Sequence, residues 1–307
     1  MSPDPKIIYV PGLLPKPPED IHRDALLRCL VTGVARIDSE IAEQLMSSTD
    51  SFEIVPWTYD FYGEHRDFAL DAASVDALLA QAAVSQRDKD EATSVKKRLV
   101  RWVLKLADHL PFLIPHVANE RMRLHLRDLR RYTKNRNEVA EHTRNILKTS
   151  LRVAREQQRP ILLIGHSMGS VIAFEALWQM SRANREPMHV DLLLTMGSPL
   201  GQRYMQNRLK GSDAIGSVRY PGNIGRWINL SAEGDMTSID PTLRTDFGDM
   251  VSDGLVESIV DQRIYNWFHL DGALNPHAEY GYLVNPDTAT VVVDWWRSVS
   301  SGRDSAG

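Results

Sequence analysis

The sequence predicts an α/β protein: a mostly parallel central sheet flanked by helices and interrupted by a long helical insertion. Three observations carry this reading. Short, almost continuous apolar runs occur at Lys6-Ile7-Ile8-Tyr9-Val10 and Ile161-Leu162-Leu163-Ile164, as expected of strands that are covered on both faces. Such runs alternate with helical patterns, the arrangement of βαβ units. The run at 161–164 then breaks into Gly165-His166-Ser167-Met168-Gly169 and passes directly into a helical pattern.

Taken in order, the first strand (residues 6–10) runs into Pro11-Gly12-Leu13-Leu14-Pro15, and Pro15 to Pro18 form a short stiff loop. Helical patterns around 23–47 follow, with Cys29 among Leu26, Leu27, Leu30 and Val31, where a free cysteine acts as a small core residue. A second strand is expected near Phe52 to Thr58, and the aromatics Trp57, Tyr59, Phe61 and Tyr62 at its end either line an apolar pocket or join the core. A helix over about 137–157 leads to the strand at 161. Later strands are expected near 190–196, 227–231 and 263–268. The last helix begins at Asn285-Pro286-Asp287, which offers an N-cap, a proline for the first helical position and an acid near the positive helix end. It should stop before the polar tail 300–307.

The turn at 165–169 has the form of a nucleophile elbow. A strained turn projects the central serine into solvent, and a glycine two residues to either side removes β-carbons that would collide with it. Ser167 is thus a candidate nucleophile. An unassisted hydroxyl is almost wholly protonated at neutral pH, so it needs a base and a group that orients the base. Both should lie downstream on loops after later strands. Asp235 ends Ala232-Glu233-Gly234-Asp235 after the strand at 227–231 and is the candidate acid; His277 in Asn275-Pro276-His277 is the candidate base. Asp240 is the second-ranked acid, although Pro241 makes it look like a turn residue. His269 reads as a strand-end residue satisfied by backbone. Donors for a developing oxyanion are expected from the Met168 N–H and from Leu13 N–H or Gly12 N–H.

These features resemble the α/β-hydrolase family, and within it the lipase and esterase-like branch. The resemblance is carried by Pro11-Gly12-Leu13-Leu14, by Gly165-His166-Ser167-Met168-Gly169, by Thr195-Met196-Gly197-Ser198-Pro199 closing the next strand, and by Asp235 and His277. It implies serine-dependent attack on an acyl carbonyl through an acyl-enzyme, with a carboxylic ester of lipid-like or apolar acyl type as the small-molecule substrate. Many lipases carry His-Gly at the oxyanion loop, whereas Pro11 precedes Gly12 here. A thioesterase or acyltransferase would use the same residues. The rival class is a non-catalytic hydrolase-like fold that binds a partner through its basic insertion.

At 307 residues one α/β domain spanning 1–307 suffices. The net charge of −4 advertises no nucleic-acid partner. Neither clustered Cys/His spacing nor a Gly-x-Gly-x-x-Gly or phosphate-loop string occurs, so no metal or cofactor is indicated. The lone cysteine, the polar start of the chain and the lack of any run of roughly 20 apolar residues point to a soluble, cytoplasmic protein.

Residues 64–136 exceed what a crossover needs and read as a helical insertion, a candidate cap or lid. Between Lys96 and Arg136, 12 Lys and Arg face only Asp108, Glu120 and Asp128. Leu99, Trp102, Val103, Leu106, Leu110, Phe112, Leu113 and Ile114 add an apolar stripe. The first expectation is a cap that packs this stripe on the main body, as amphipathic helices of soluble proteins usually do. The alternative is a lid whose residues 96–136 touch an anionic membrane surface or an amphiphilic substrate.

Overall fold

The computed structural model describes residues 4–48, 50–109 and 120–304. Its centre is a six-stranded sheet in the order β2-β1-β3-β4-β5-β6, every neighbouring pair parallel. The strands are β1 (Lys6–Val10), β2 (Phe52–Ile54), β3 (Ile161–His166), β4 (Val190–Met196), β5 (Ile224–Ala232) and β6 (Ser258–Ile264). Tyr9 lies beside Ile54 on one neighbour and Ile164 on the other, and Gly165 lies between Val10 and Thr195. This register brings the carboxyl ends of β1, β3 and β4 level at one edge, where ligands of open α/β sheets bind. A small antiparallel pair, β7 (His269–Leu270) and β8 (Ala273–Leu274), stands apart from the sheet.

Alternation along the strands divides the core in two. Ile8, Val10 and Leu163 point into one apolar cluster; Ile7, Tyr9, Leu162 and Ile164 point into the other. Helices include α1 (Glu19–Ala35), α2 (Ser39–Ser47), α3 (Trp57–Tyr62), α4 (Ala69–Ala80), α5 (Gln86–Ala92), α6 (Val95–His109), α7 (Glu120–Thr133), α8 (Val139–Glu156), α9 (Met168–Trp178), α10 (Glu279–Leu283) and α11 (Pro286–Asp304), and several of them cover these two faces. Ala140, Leu147, Leu151 and Ala154 of α8 recur at helical spacing and are buried on the first face. Cys29 and Leu30 of α1 join Val292 and Trp295 of α11 on the second. Full burial of each such aliphatic side chain contributes roughly 1.5–3 kcal/mol.

Local signals set several boundaries. Asp38 caps α2 by accepting the N–H groups of Glu40 and Ile41, which splits the helical pattern at 23–47 into two helices. Asn285 accepts the Asp287 N–H at the start of α11, but that helix continues through the polar tail to Asp304. The second strand stops at Ile54. Pro56 has no N–H to donate to a ladder, and the chain turns into α3, burying Trp57 and Phe61 edge to face in the core. The last strand is 258–264, not 263–268. It is an edge strand with Ile259 and Ile264 buried and Val260 exposed, while the apolar run Trp267-Phe268 is buried in the loop beyond it.

Helices α4 to α7 occupy much of the described part of residues 64–136. Leu110, Phe112, Leu113 and Ile114 lie outside the described residues. Leu129 and Tyr132 dock α7 on the core, and Leu104 of α6 is buried. Leu99 and Trp102 of the α6 stripe are exposed rather than packed on the main body, and Val103 is half-buried. Among the described residues no helix is long and apolar enough to cross a membrane.

Candidate active site

β3 ends at His166, α9 begins at Met168, and Ser167 alone makes the turn with φ 53° and ψ −123°. Positive φ is strained for any residue with a β-carbon, and close packing on both sides holds it here. A β-carbon at 165 would fall 2.6 Å from Ser170 Cα, and one at 169 would fall 2.0 Å from the Val10 carbonyl oxygen. The two glycines therefore let the elbow nest against β1 and the first turn of α9. Ser167 N–H donates to Met196 O (2.8 Å), and the Ser170 hydroxyl donates to Ser167 O (2.6 Å). Ser167 is buried rather than open to solvent, since the loop after β1 and His277 close over it.

Three distant segments meet at this serine. His277 Nε2 lies 2.9 Å from Ser167 Oγ, and His277 Nδ1 lies 2.9 Å from Asp235 Oδ2. A carboxylate can only accept, so Nδ1 carries the ring proton and Nε2 presents its lone pair to the hydroxyl. Asp235 is fully enclosed and also accepts from the Thr237 N–H (2.8 Å) and the Tyr282 hydroxyl (2.8 Å). Burial pushes its carboxyl pKa up, but His277 and these hydrogen bonds outweigh burial and hold it below the ordinary value. Asp235 is thus ionised beside the imidazole. The Thr237 hydroxyl sits 3.3 Å from His277 Nε2.

The rivals fall elsewhere. Asp240 is a turn residue that accepts the Thr242 hydroxyl at 2.6 Å. His269 Nδ1 bonds the Trp267 carbonyl, and its Nε2 faces Asp88 at 3.3 Å. Among the aromatics at the end of the second strand, Trp57 and Phe61 are core, Tyr59 is exposed, and Tyr62 is half-buried.

The loop after β1 lies against the serine. A β-carbon at Gly12 would fall 2.7 Å from Ser167 Cβ and 3.3 Å from its Oγ, so only glycine lets this backbone approach. Trp57 Nε1–H fixes the loop at Pro11 O (3.0 Å). Leu13 follows, half-buried against the core, and Leu14 takes φ 79°. The Leu14 N–H donates to the Tyr62 hydroxyl (3.0 Å), which in turn donates to buried Asp128 Oδ2 of α7 (3.1 Å). On the other side, Arg101 of α6 donates to Ser238 O (3.0 Å), within the segment that follows Asp235.

Behind the site lies a polar cluster absent from the sequence reading. Glu279 accepts from Lys16 Nζ (2.7 Å), the Tyr9 hydroxyl (3.0 Å) and His22 Nε2 (3.0 Å). Burial raises its carboxyl pKa, but Lys16 and His22 outweigh burial and hold it well below the usual range. His166 Nε2–H donates to His277 O (2.9 Å). Burial above all, then the neighbouring His277, drives His166 down to about 3, so its ring stays neutral. Tyr282, His166 and Glu279 gave no sequence signal for these roles, because their partners lie tens to hundreds of positions away; Thr237 bonds Asp235 two residues back, but its approach to His277 spans 40 positions.

Residues 119–199 match a family described as alpha/beta hydrolase of unknown function (DUF900). That segment holds α8, β3, the elbow and β4. No curated protein and no solved structure matches the chain. With its parallel sheet, its elbow after the third strand and this match over residues 119–199, the chain has an α/β-hydrolase fold.

Proposed function

We propose that the chain is a serine hydrolase that cleaves a carboxylic ester through an acyl-enzyme on Ser167. The observation that carries this reading is the line from Ser167 Oγ through the His277 ring to Asp235, with 2.9 Å at each junction. In the first half-reaction His277 Nε2 takes the Ser167 proton as Oγ bonds to the carbonyl carbon. The resulting oxyanion is held by the Met168 N–H at the start of α9 and by Leu13 N–H or Gly12 N–H. Its collapse breaks the ester C–O bond, and the leaving alkoxide takes the proton from Nε2. Water then repeats the sequence on the acyl-enzyme and releases the acid. Asp235 fixes the Nδ1–H tautomer and stabilises the imidazolium in both halves. Leu13 and Tyr62, half-buried on the apolar core beside the loop, favour an apolar acyl group. Cys29, buried and outside any disulfide, fits a reducing cytoplasmic setting.

A fluorophosphonate probe tests this reading. It should label the folded protein at Ser167, with labelling abolished in Ser167→Ala, and a p-nitrophenyl ester series should report the acyl length preferred. Folded protein that neither labels nor turns over any ester would sink the proposal and favour a binding module on the same fold.

A further inference from the structure

The helix α6 turns the wrong way for a purely internal element. Its inward side is held by buried Leu104 and by Arg101, which donates to Ser238 O (3.0 Å). Its outward side carries Val95, Leu99 and Trp102, which are 81%, 60% and 64% exposed. At 3.6 residues per turn these three fall within about 60° of one another, and Lys96 and Arg98 flank them on opposite sides. Both bases are exposed, and no acid occurs from Val95 through Lys105. Val100, further round the same helix, is 38% exposed, and other exposed large apolar residues, such as Met46, Leu70 and Ile215, lie elsewhere in the chain. Scattered single residues are ordinary on a protein surface; a helical stripe that includes a tryptophan and has bases on both margins is not.

That pattern selects its occupant. An apolar centre rimmed by cations fits the boundary between acyl chains and anionic headgroups, where the stripe leaves water and the bases meet phosphate and carboxylate. A nucleic acid would not cover the apolar centre, and a second copy of this chain would bring the same positive rim against itself. Arg130 of α7 and Lys134 just beyond it add exposed positive charge to the same insertion. We propose that the outward face of α6 docks the protein on anionic phospholipid surfaces. The proposal concerns binding and does not depend on the catalytic reading.

Cosedimentation of the full chain with vesicles tests it. The protein should bind vesicles containing phosphatidylserine at least about tenfold more tightly than vesicles of phosphatidylcholine alone, and added salt should weaken that binding. Two variants separate the contributions. Leu99→Ser with Trp102→Ser removes the apolar centre, and Lys96→Glu with Arg98→Glu inverts the rim. All four side chains are exposed, so both variants should keep the wild-type circular dichroism and melting temperature. Each should lose on the order of tenfold or more in affinity for anionic vesicles. Absence of binding to either vesicle type, equal binding to both, or wild-type affinity in both variants would overturn the proposal. So would a dimer in sedimentation equilibrium that the Leu99→Ser with Trp102→Ser variant dissolves, since a second copy would then own the face.

Discussion

His166 Nε2–H donates to the carbonyl oxygen of His277 at 2.9 Å, so the residue just before Ser167 holds the backbone of His277. The ring that does this is buried and neutral, its pKa driven down to about 3 mainly by burial. An unfolded chain protonates that imidazole near its ordinary 6.5, so the unfolded state binds more protons between these values. Stability linked to His166 is therefore full above 6.5 and declines as pH falls toward 3. Between pH 7 and pH 4.5 the loss should amount to about 2–3 kcal/mol. Urea midpoints at the two pH values check this: His166→Gln should show a drop smaller by that amount, and an identical drop would refute the assignment.

Asp235→Asn keeps the shape of the acid and removes its charge. The asparagine can hold His277 in the wrong tautomer, so kcat should fall by about 10³–10⁴-fold. Asp240→Asn should leave turnover near wild type. Steady-state kinetics on one ester, with melting temperatures measured alongside, will distinguish them; full activity in Asp235→Asn would remove that residue from the mechanism.

Gly12→Ala places a methyl group 2.7 Å from Ser167 Cβ, and the serine cannot yield because its backbone is already fixed by Met196 O and by the packing at Gly169. The loop should retreat instead, carrying its donors off the oxyanion. A loss of roughly 100-fold in kcat/KM is expected, the scale of one missing donor. Fluorophosphonate labelling should slow in parallel while the fold survives.

Lys16→Met leaves Glu279 with a buried charge and only His22 and Tyr9 as partners. The variant should lose about 3 kcal/mol, and Lys16→Met combined with Glu279→Gln should be more stable than the sum of the single changes. A double-mutant cycle by urea denaturation reads this coupling. Simple additivity would show that the pair contributes nothing specific.

Much of the sheet was legible because β1 and β3 are covered on both faces and so read as almost continuous apolar runs. The elbow was legible because its five residues act locally. β6 was not: an edge strand buries only one face, and the apolar residues Trp267 and Phe268 lie in the loop beyond it. The meeting of Ser167, Asp235 and His277 agrees with their order along the chain, yet the residues that fix them depend on contacts no spacing encodes. Glu279 shows why, since it joins Tyr9, Lys16 and His22 across more than 250 positions. Periodicity also revealed that α6 has an apolar face without revealing what covers it.

The hydrogen-bonded path from Leu14 through the Tyr62 phenol to Asp128 ties the insertion to the backbone that faces the nucleophile. Any displacement of α7 wide enough to admit a bulky molecule must either snap that link or drag the loop along. Under the proposed ester cleavage that loop also carries oxyanion donors, so a bulky acyl group that displaced α7 would weaken polarisation of its own carbonyl until the phenol link re-formed.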